Sequence, residues 1–176
     1  MGSKVVLIGG CGGGKSALAL ETARRAGADS LVFIATATPF DDEMRVKIEK
    51  HKEERGGDFT TVEEPLRLAD ALSPFADDPA VCAVVDCLTV WLCNLAAVPA
   101  DEAQGMRNDF LLRFGGFKGS IIAVTNETGM GVIPADRQTR DYAAVLAETN
   151  RKAVALADEA YLVVAGRKVR IKPGGD

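Results

Sequence analysis

The sequence predicts an α/β fold: a mostly parallel β-sheet covered by helices on both faces. Three observations carry this. Short apolar runs, Lys4–Gly9 (KVVLIG), Leu31–Thr36 (LVFIAT), Ala80–Asp86 (AVCAVVD) and Ser120–Thr125 (SIIAVT), alternate with longer stretches of helix formers. The runs are apolar throughout instead of alternating, which is the pattern of strands buried on both faces. The chain has 176 residues, 47% of them hydrophobic, so residues 1–176 form one domain with enough chain to bury a core unaided.

The elements follow in order. After the first strand, Ser16–Ala26 (SALALETARRA) is a helix that stops at Gly27, a natural residue just past a helix end. The second strand leads to a helix over Asp41–Arg55. Its first turn carries Asp41, Asp42 and Glu43 and its end carries bases, which complements the helix dipole, and Gly56–Gly57 stop it. Pro65–Leu72 reads as a short helix, and Ala80–Asp86 as the third strand, ending in an acid. Helices follow at Leu88–Leu95 and Ala100–Phe114, then the fourth strand. Asp136–Ala157 is a long helical stretch, broken once. Tyr161–Ala165 and Lys168–Lys172 close the fold as a hairpin around Gly166–Arg167, and Pro173–Asp176 form a frayed tail.

Composition narrows the function classes. Lys and Arg number 21 against 25 Asp and Glu, a net charge of -4, which argues against a nucleic-acid or anionic-membrane binder driven by bulk charge. The mean hydropathy of +0.06 belongs to a folded chain. No apolar run reaches the roughly 18 residues of a membrane helix, and Met1–Lys4 runs straight into the first strand without a secretory signal, so a cytoplasmic protein is expected. None of the four cysteines forms a C-x-x-C pair, and one histidine leaves a zinc site short of partners. Cys82, Cys87 and Cys93 sit in apolar surroundings and read as small core residues.

The clearest chemical signal is Gly9-Gly10-Cys11-Gly12-Gly13-Gly14-Lys15-Ser16, which fits G-x-x-x-x-G-K-[ST] at every fixed position. It follows a buried strand and opens a helix. Glycines let the backbone curl so that its N–H groups face a phosphate, and the helix presents its positive end. Lys15 is placed to neutralise the outer phosphates of a nucleoside triphosphate, and Ser16 to offer a hydroxyl to Mg²⁺. Asp86, closing the third strand, stands where such proteins put their Mg²⁺-binding acid. A dinucleotide-binding reading fails, because Lys-Ser is foreign to that motif and no acid closes the second strand.

His51 shares a helix face with Met44, Ile48 and Arg55. On pattern alone it is either an ordinary packed or surface histidine, or a nucleophile. A neutral imidazole can attack the α-phosphorus of a triphosphate and form a phosphoramidate, with Lys52 and Arg55 steadying the charge.

Taken together, these motifs resemble the bifunctional adenosylcobinamide kinase / adenosylcobinamide-phosphate guanylyltransferase family of cobalamin biosynthesis. The resemblance runs from Val5 to Lys172. Besides the phosphate loop it rests on Phe33–Thr36, on Asp41-Asp42-Glu43-Met44 leading to His51–Lys52 and Arg55, and on Thr61–Glu63. It continues through Asp86 with Leu88–Thr89 and Asn94–Leu95, Val124–Pro134 (VTNETGMGVIP), Asn150, and Ala157–Glu159 leading to Leu162–Gly166. It implies a RecA-like P-loop NTPase fold in three layers and a ring-shaped homotrimer. ATP and GTP are the implied substrates besides adenosylcobinamide and its phosphate, and His51 is the implied acceptor of GMP. Ala35, Thr36, Ala37, Lys52, Glu53, Glu54, Arg55 and Glu63 are implied to surround the guanine nucleotide. The sequence departs from the family pattern at Gly12-Gly13, where Arg-Ser is usual, at Phe59 for a tryptophan, at Gly56 for a proline, and at Ala147–Arg151. A plain P-loop small-molecule kinase is the alternative, and it leaves His51 without chemistry. A GTP-dependent switch would need an N-K-x-D motif, and the sequence has none. With Trp91, Tyr142, Tyr161 and seven Phe, the sequence marks out no corrinoid platform.

Overall fold

The computed structural model describes residues 2–38, 52, 56–131 and 133–172. The expected helix over 41–55 and the expected tail over 173–176 lie outside the described residues, Lys52 excepted. Seven strands form one sheet: β1 (Lys4–Gly9), β2 (Ser30–Ala35), β3 (Phe59–Glu63), β4 (Val81–Asp86), β5 (Ser120–Asn126), β6 (Glu159–Val164) and β7 (Arg167–Lys172). Their order across the sheet is β3-β2-β4-β5-β1-β6-β7. Every pairing is parallel except the last, β6 with β7.

The period-2 geometry of a strand explains why the apolar runs are continuous. In β1, Val5 and Leu7 face the layer containing helix α1 (Lys15–Arg25), where they join Ala19, Leu20, Ala23, Phe33, Val84 and Val163. Val6 and Ile8 face the opposite layer. That layer is built from α2 (Leu68–Leu72), α3 (Leu88–Leu95), α4 (Ala100–Gly116) and α5 (Arg137–Leu156). Helices on both faces of a parallel sheet make three layers, as predicted. Asp136 caps α5, its carboxylate accepting from the Thr139 amide at 2.7 Å. From there α5 runs unbroken for 20 residues, contrary to the interruption expected from sequence.

The structure departs from the sequence reading in three further places. β3 was not anticipated: it is a five-residue edge strand with one buried residue, Phe59, so it lacks the long apolar run that marks the central strands. The expected helix Pro65–Leu72 begins only at Leu68, because Glu64 accepts from the Leu66 and Arg67 amides at 2.8 Å each and holds a turn there. The hairpin turn is Ala165–Gly166, one residue earlier than expected, with both residues at positive φ, the geometry of a tight two-residue hairpin.

Trp91 anchors the helical layer. It is fully buried, packs its ring 5.2 Å from that of Phe110 with the planes inclined at 58°, and donates its indole N–H to the Leu66 carbonyl at 2.8 Å. Trp91→Ala should lower unfolding free energy by about 3–5 kcal/mol, the usual cost of emptying a large aromatic site, measured by urea denaturation. A loss below about 1 kcal/mol would show that the layer repacks without it.

Candidate functional site

Six parallel strands direct their C-terminal ends to one edge of the sheet, where open α/β sheets hold their ligands. Gly9, Ala35, Glu63, Asp86 and Asn126 all end strands there. The loop Gly9–Ser16 rises from β1, an interior strand between β5 and β6, and α1 opens at Lys15.

Close packing shapes this loop. A Cβ on Gly9 would sit 2.2 Å from the Val163 carbonyl oxygen, so only glycine fits beside β6. Gly14 caps α1 at φ 87, a left-handed conformation, and its α-carbon hydrogens face the Gly166 backbone. Gly166, at the tip of the β6–β7 hairpin, donates to the Gly13 carbonyl at 3.1 Å. The Gly13 amide in turn donates to the Gly10 carbonyl at 3.3 Å. The hairpin therefore buttresses the loop from outside.

Lys15 is 7% exposed and donates to the Gly10 carbonyl at 2.7 Å. Burial holds its ammonium below the ordinary lysine value, and the nearby acidic groups of Cys87, Cys11 and Asp86 oppose that shift. A buried ammonium bonded to a carbonyl at the foot of a glycine loop is suited to pair with the outer phosphates of a nucleotide. Asp86 ends β4, half-buried, and its field reaches Lys15 although β5 lies between their strands. Ser16 stands next to Lys15, half-buried. Among the described residues, no group of three His, Cys, Asp or Glu side chains could hold a metal ion. A cation here would thus depend on one hydroxyl, one carboxylate and oxygens of the nucleotide itself, which matches the sparse protein coordination of Mg²⁺.

The ends of β2 and β4 are clamped by Thr36. Fully buried, its hydroxyl accepts from the Cys87 amide at 2.8 Å and donates to the Cys87 carbonyl at 2.9 Å. Its amide donates to the Asp86 carbonyl at 3.1 Å, and its carbonyl accepts from the Asn94 side chain at 2.9 Å. All its polar atoms are committed to the framework, so Thr36 shapes the edge instead of offering a free group. The Asp86–Cys87 peptide is cis. Ala35 and Ala37 flank Thr36, both half-buried. Lys52 and Glu63, expected together near the nucleotide, form an ion pair at 3.0 Å at the C-terminal end of β3. His51, Glu53, Glu54 and Arg55 lie outside the described residues.

A buried polar network that no sequence pattern announces ties β5 to the helices. Thr125 donates to the Asn150 side-chain oxygen at 2.8 Å, and the Asn150 amide donates to the Asn126 carbonyl at 2.9 Å. The Asn126 amide donates to the Thr89 hydroxyl at 2.7 Å, and Tyr142 donates to the Thr89 carbonyl at 2.9 Å. The V-T-N element, Thr89 and Asn150, all part of the family resemblance, are its traces in the sequence. The cysteines divide. Cys82 is buried as expected, and burial pushes its thiol up to about 11. Cys87 is likewise pushed up to about 11, by burial first and by Asp86 second, and its sulfur caps α3. Cys93 is exposed, not a core residue, because it sits on the outer side of α3.

A glycine loop with a buried lysine between β1 and α1, facing an acid at the end of β4, defines a P-loop nucleotide-binding protein. The flagellar accessory protein FlaH from Methanocaldococcus jannaschii has a similar fold, with a TM-score of 0.51 at 13% identity over 98% of this chain and 79% of that one. The family model for cobinamide kinase / cobinamide phosphate guanyltransferase matches residues 5–171, and the chain belongs to that family. It is 41% identical over 140 residues to the bifunctional adenosylcobalamin biosynthesis protein CobP of Pseudomonas aeruginosa, covering 78% of this chain and 79% of that one. To CobU of Salmonella typhimurium, another bifunctional adenosylcobalamin biosynthesis protein, it is 30% identical over 184 residues, covering 96% and 99%.

Thr36→Val removes both side-chain bonds to Cys87 and leaves a buried amide unpaired, so stability should fall by about 1–3 kcal/mol in urea melts. Thr36→Ser should recover most of that loss. Equal stability of the valine and serine variants would mean the hydroxyl clamp contributes nothing.

Proposed function

We propose that this protein phosphorylates the free hydroxyl of adenosylcobinamide and then transfers GMP from GTP to the resulting phosphate, giving adenosylcobinamide-GDP. The family match over residues 5–171 is the observation that carries this reading. The loop Gly9, Gly10, Cys11, Gly12, Gly13, Gly14, Lys15 and Ser16 cradles the triphosphate with backbone N–H groups. Lys15 neutralises charge at the transferring phosphoryl group of ATP or GTP. Ser16 and Asp86 would hold Mg²⁺, which when bound shields the phosphate oxygens from one another and from the incoming nucleophile.

In the second reaction the neutral His51 imidazole attacks the α-phosphorus of GTP. A P–N bond forms, the α–β P–O bond breaks, and pyrophosphate leaves with that bonding pair. A phosphate oxygen of adenosylcobinamide phosphate then attacks the same phosphorus and breaks the P–N bond, returning the electron pair to the imidazole. Ala35, Thr36, Ala37, Lys52, Glu53, Glu54, Arg55 and Glu63 line the guanine end in this reading, with Thr36 acting through the backbone it fixes. Residues 1–176 act as one catalytic domain, in a cytoplasmic homotrimer.

Incubation with α-labelled GTP and Mg²⁺, then denaturation, should leave label on the protein, labile to acid and stable to base as a P–N bond is. Labelling should rise with pH, because only the neutral ring attacks. His51→Ala should lose the label and GMP transfer yet keep phosphorylation of adenosylcobinamide; retained label would overturn the mechanism.

Lys15→Ala and Asp86→Asn should each reduce phosphoryl transfer by about a hundredfold or more, since each removes a charge that balances the phosphates. High Mg²⁺ should restore part of the activity to the Asp86 variant and none to the Lys15 variant. An unchanged Mg²⁺ requirement in Asp86→Asn would return Asp86 to a structural role.

A further inference from the structure

The phosphate loop accounts for the nucleotide but not for the corrinoid, whose macrocycle is large, flat and studded with methyl groups, with amides around its rim. Its reacting hydroxyl sits at the end of a flexible arm. The ring must therefore be held beside the loop, on an apolar surface with a polar border.

The helical layer contains such a surface. A cavity of about 600 Å³ opens between α3, α4 and α5, lined by Leu92, Cys93, Ala96, Ala103, Tyr142 and Val145. That volume is in the usual range for small-molecule sites, about 300–1,000 Å³. Arg107, Gln138 and Asp141 contribute polar groups to the same lining, suited to peripheral amides.

Its position is right for the chemistry. α4 and α5 each end within a few residues of the next strand's start, so both run toward the N-terminal edge of the sheet. The groove residues lie in their first halves, toward the phosphate-loop edge. A second apolar hollow, at Leu112, Gly115 and Leu156, lies at the far ends of the same helices and is wrongly placed. The groove wall is also tied to the loop strand: Tyr142 bonds Thr89, Thr89 bonds Asn126, and Asn126 pairs in register with Gly9.

The segment between β5 and α5 adds an independent observation. It carries Met130, 74% exposed, and Ile133, 81% exposed, two of the most exposed large apolar side chains among the described residues. Arg140, in the first turn of α5, donates to the Pro134 and Ala135 carbonyls at 2.9 and 2.6 Å, which ties the end of this segment to the helix start that carries the groove residues Gln138 and Thr139. Exposed apolar side chains on the segment that leads into a groove-lining helix point to a binding surface.

Building on the proposed function, we infer that the groove between α3, α4 and α5 seats the corrin ring of adenosylcobinamide, with Met130 and Ile133 covering its outer face. The arm then reaches from the groove past Asn126 to the phosphate loop. Neither the groove nor these two side chains takes part in forming the protein–GMP bond, which needs no corrinoid.

The test uses the full chain, adenosylcobinamide as the probe, and the variants Cys93→Trp and Ala96→Trp. Both positions are exposed, so a bulky side chain there fills the groove without entering the core. Equilibrium dialysis should show affinity for adenosylcobinamide reduced by about tenfold or more in each variant, while labelling by α-labelled GTP stays within about twofold of wild type. In the wild type, saturating adenosylcobinamide should slow maleimide alkylation of Cys93, read by peptide mass spectrometry. Wild-type affinity in both variants, or unprotected Cys93, overturns the assignment. So does a changed oligomeric state with binding intact, which would make the groove a contact between copies of the chain. Wild-type protein that takes label from GTP but never binds adenosylcobinamide would instead sink the substrate reading.

Discussion

The backbone of β1 passes so close to β6 that no side chain fits between Gly9 and the Val163 carbonyl. Much of the nucleotide edge depends on that contact. It sets the height at which the chain leaves the sheet and enters the glycine loop. It also brings the β6–β7 hairpin tip against Gly13 and Gly14, so the loop is held from outside as well as by its own turns. A phosphate cradle works only if its N–H groups are already aimed, because reorganising them at the moment of binding would consume the energy they supply. The hairpin is thus part of what shapes the nucleotide site. Antiparallel β7, at the end of the sheet, completes the hairpin whose tip makes that contact.

Charge at the edge is arranged around one buried ammonium. Lys15 bonds to the Gly10 carbonyl inside its own loop, where burial disfavours its charge and Asp86 favours it. Two elements keep Asp86 in range: the β4–β5–β1 pairing, which fixes the separation of the strand ends, and Thr36, which locks the residue after Asp86 to the end of β2. The local order around Asp86 therefore depends on a threonine with no polar atom free for a ligand.

The helical layer has a different role. Its inner side is ordinary core, held by Trp91 and Phe110, while its outer side leaves an apolar groove beside the catalytic edge. The Thr125–Asn150–Asn126–Thr89 network joins the two. Buried polar groups with complete partners specify one arrangement of neighbouring elements, because any other leaves a group unpaired. This gives the groove wall and the strand that carries the phosphate loop a fixed relation.

The sequence by itself determined the layers, the central strands and the phosphate loop. Each is written in local information: continuous apolar runs for doubly buried strands, and G-x-x-x-x-G-K-S for a curled backbone before a helix. The family, too, was legible, through the V-T-N-E-T-G-M-G element and the D-D-E-M…H-K frame. What the sequence missed shares one physical cause. The edge strand β3, the hairpin turn at Ala165–Gly166, the exposure of Cys93, the Thr36 clamp and the groove all depend on partners distant in the chain. Thr36 meets Cys87 across 51 residues, and Tyr142 meets Thr89 across 53. No periodicity encodes such pairings, since a side chain's hydrogen-bond partner is chosen by strand order and helix packing, and only the tertiary structure decides those.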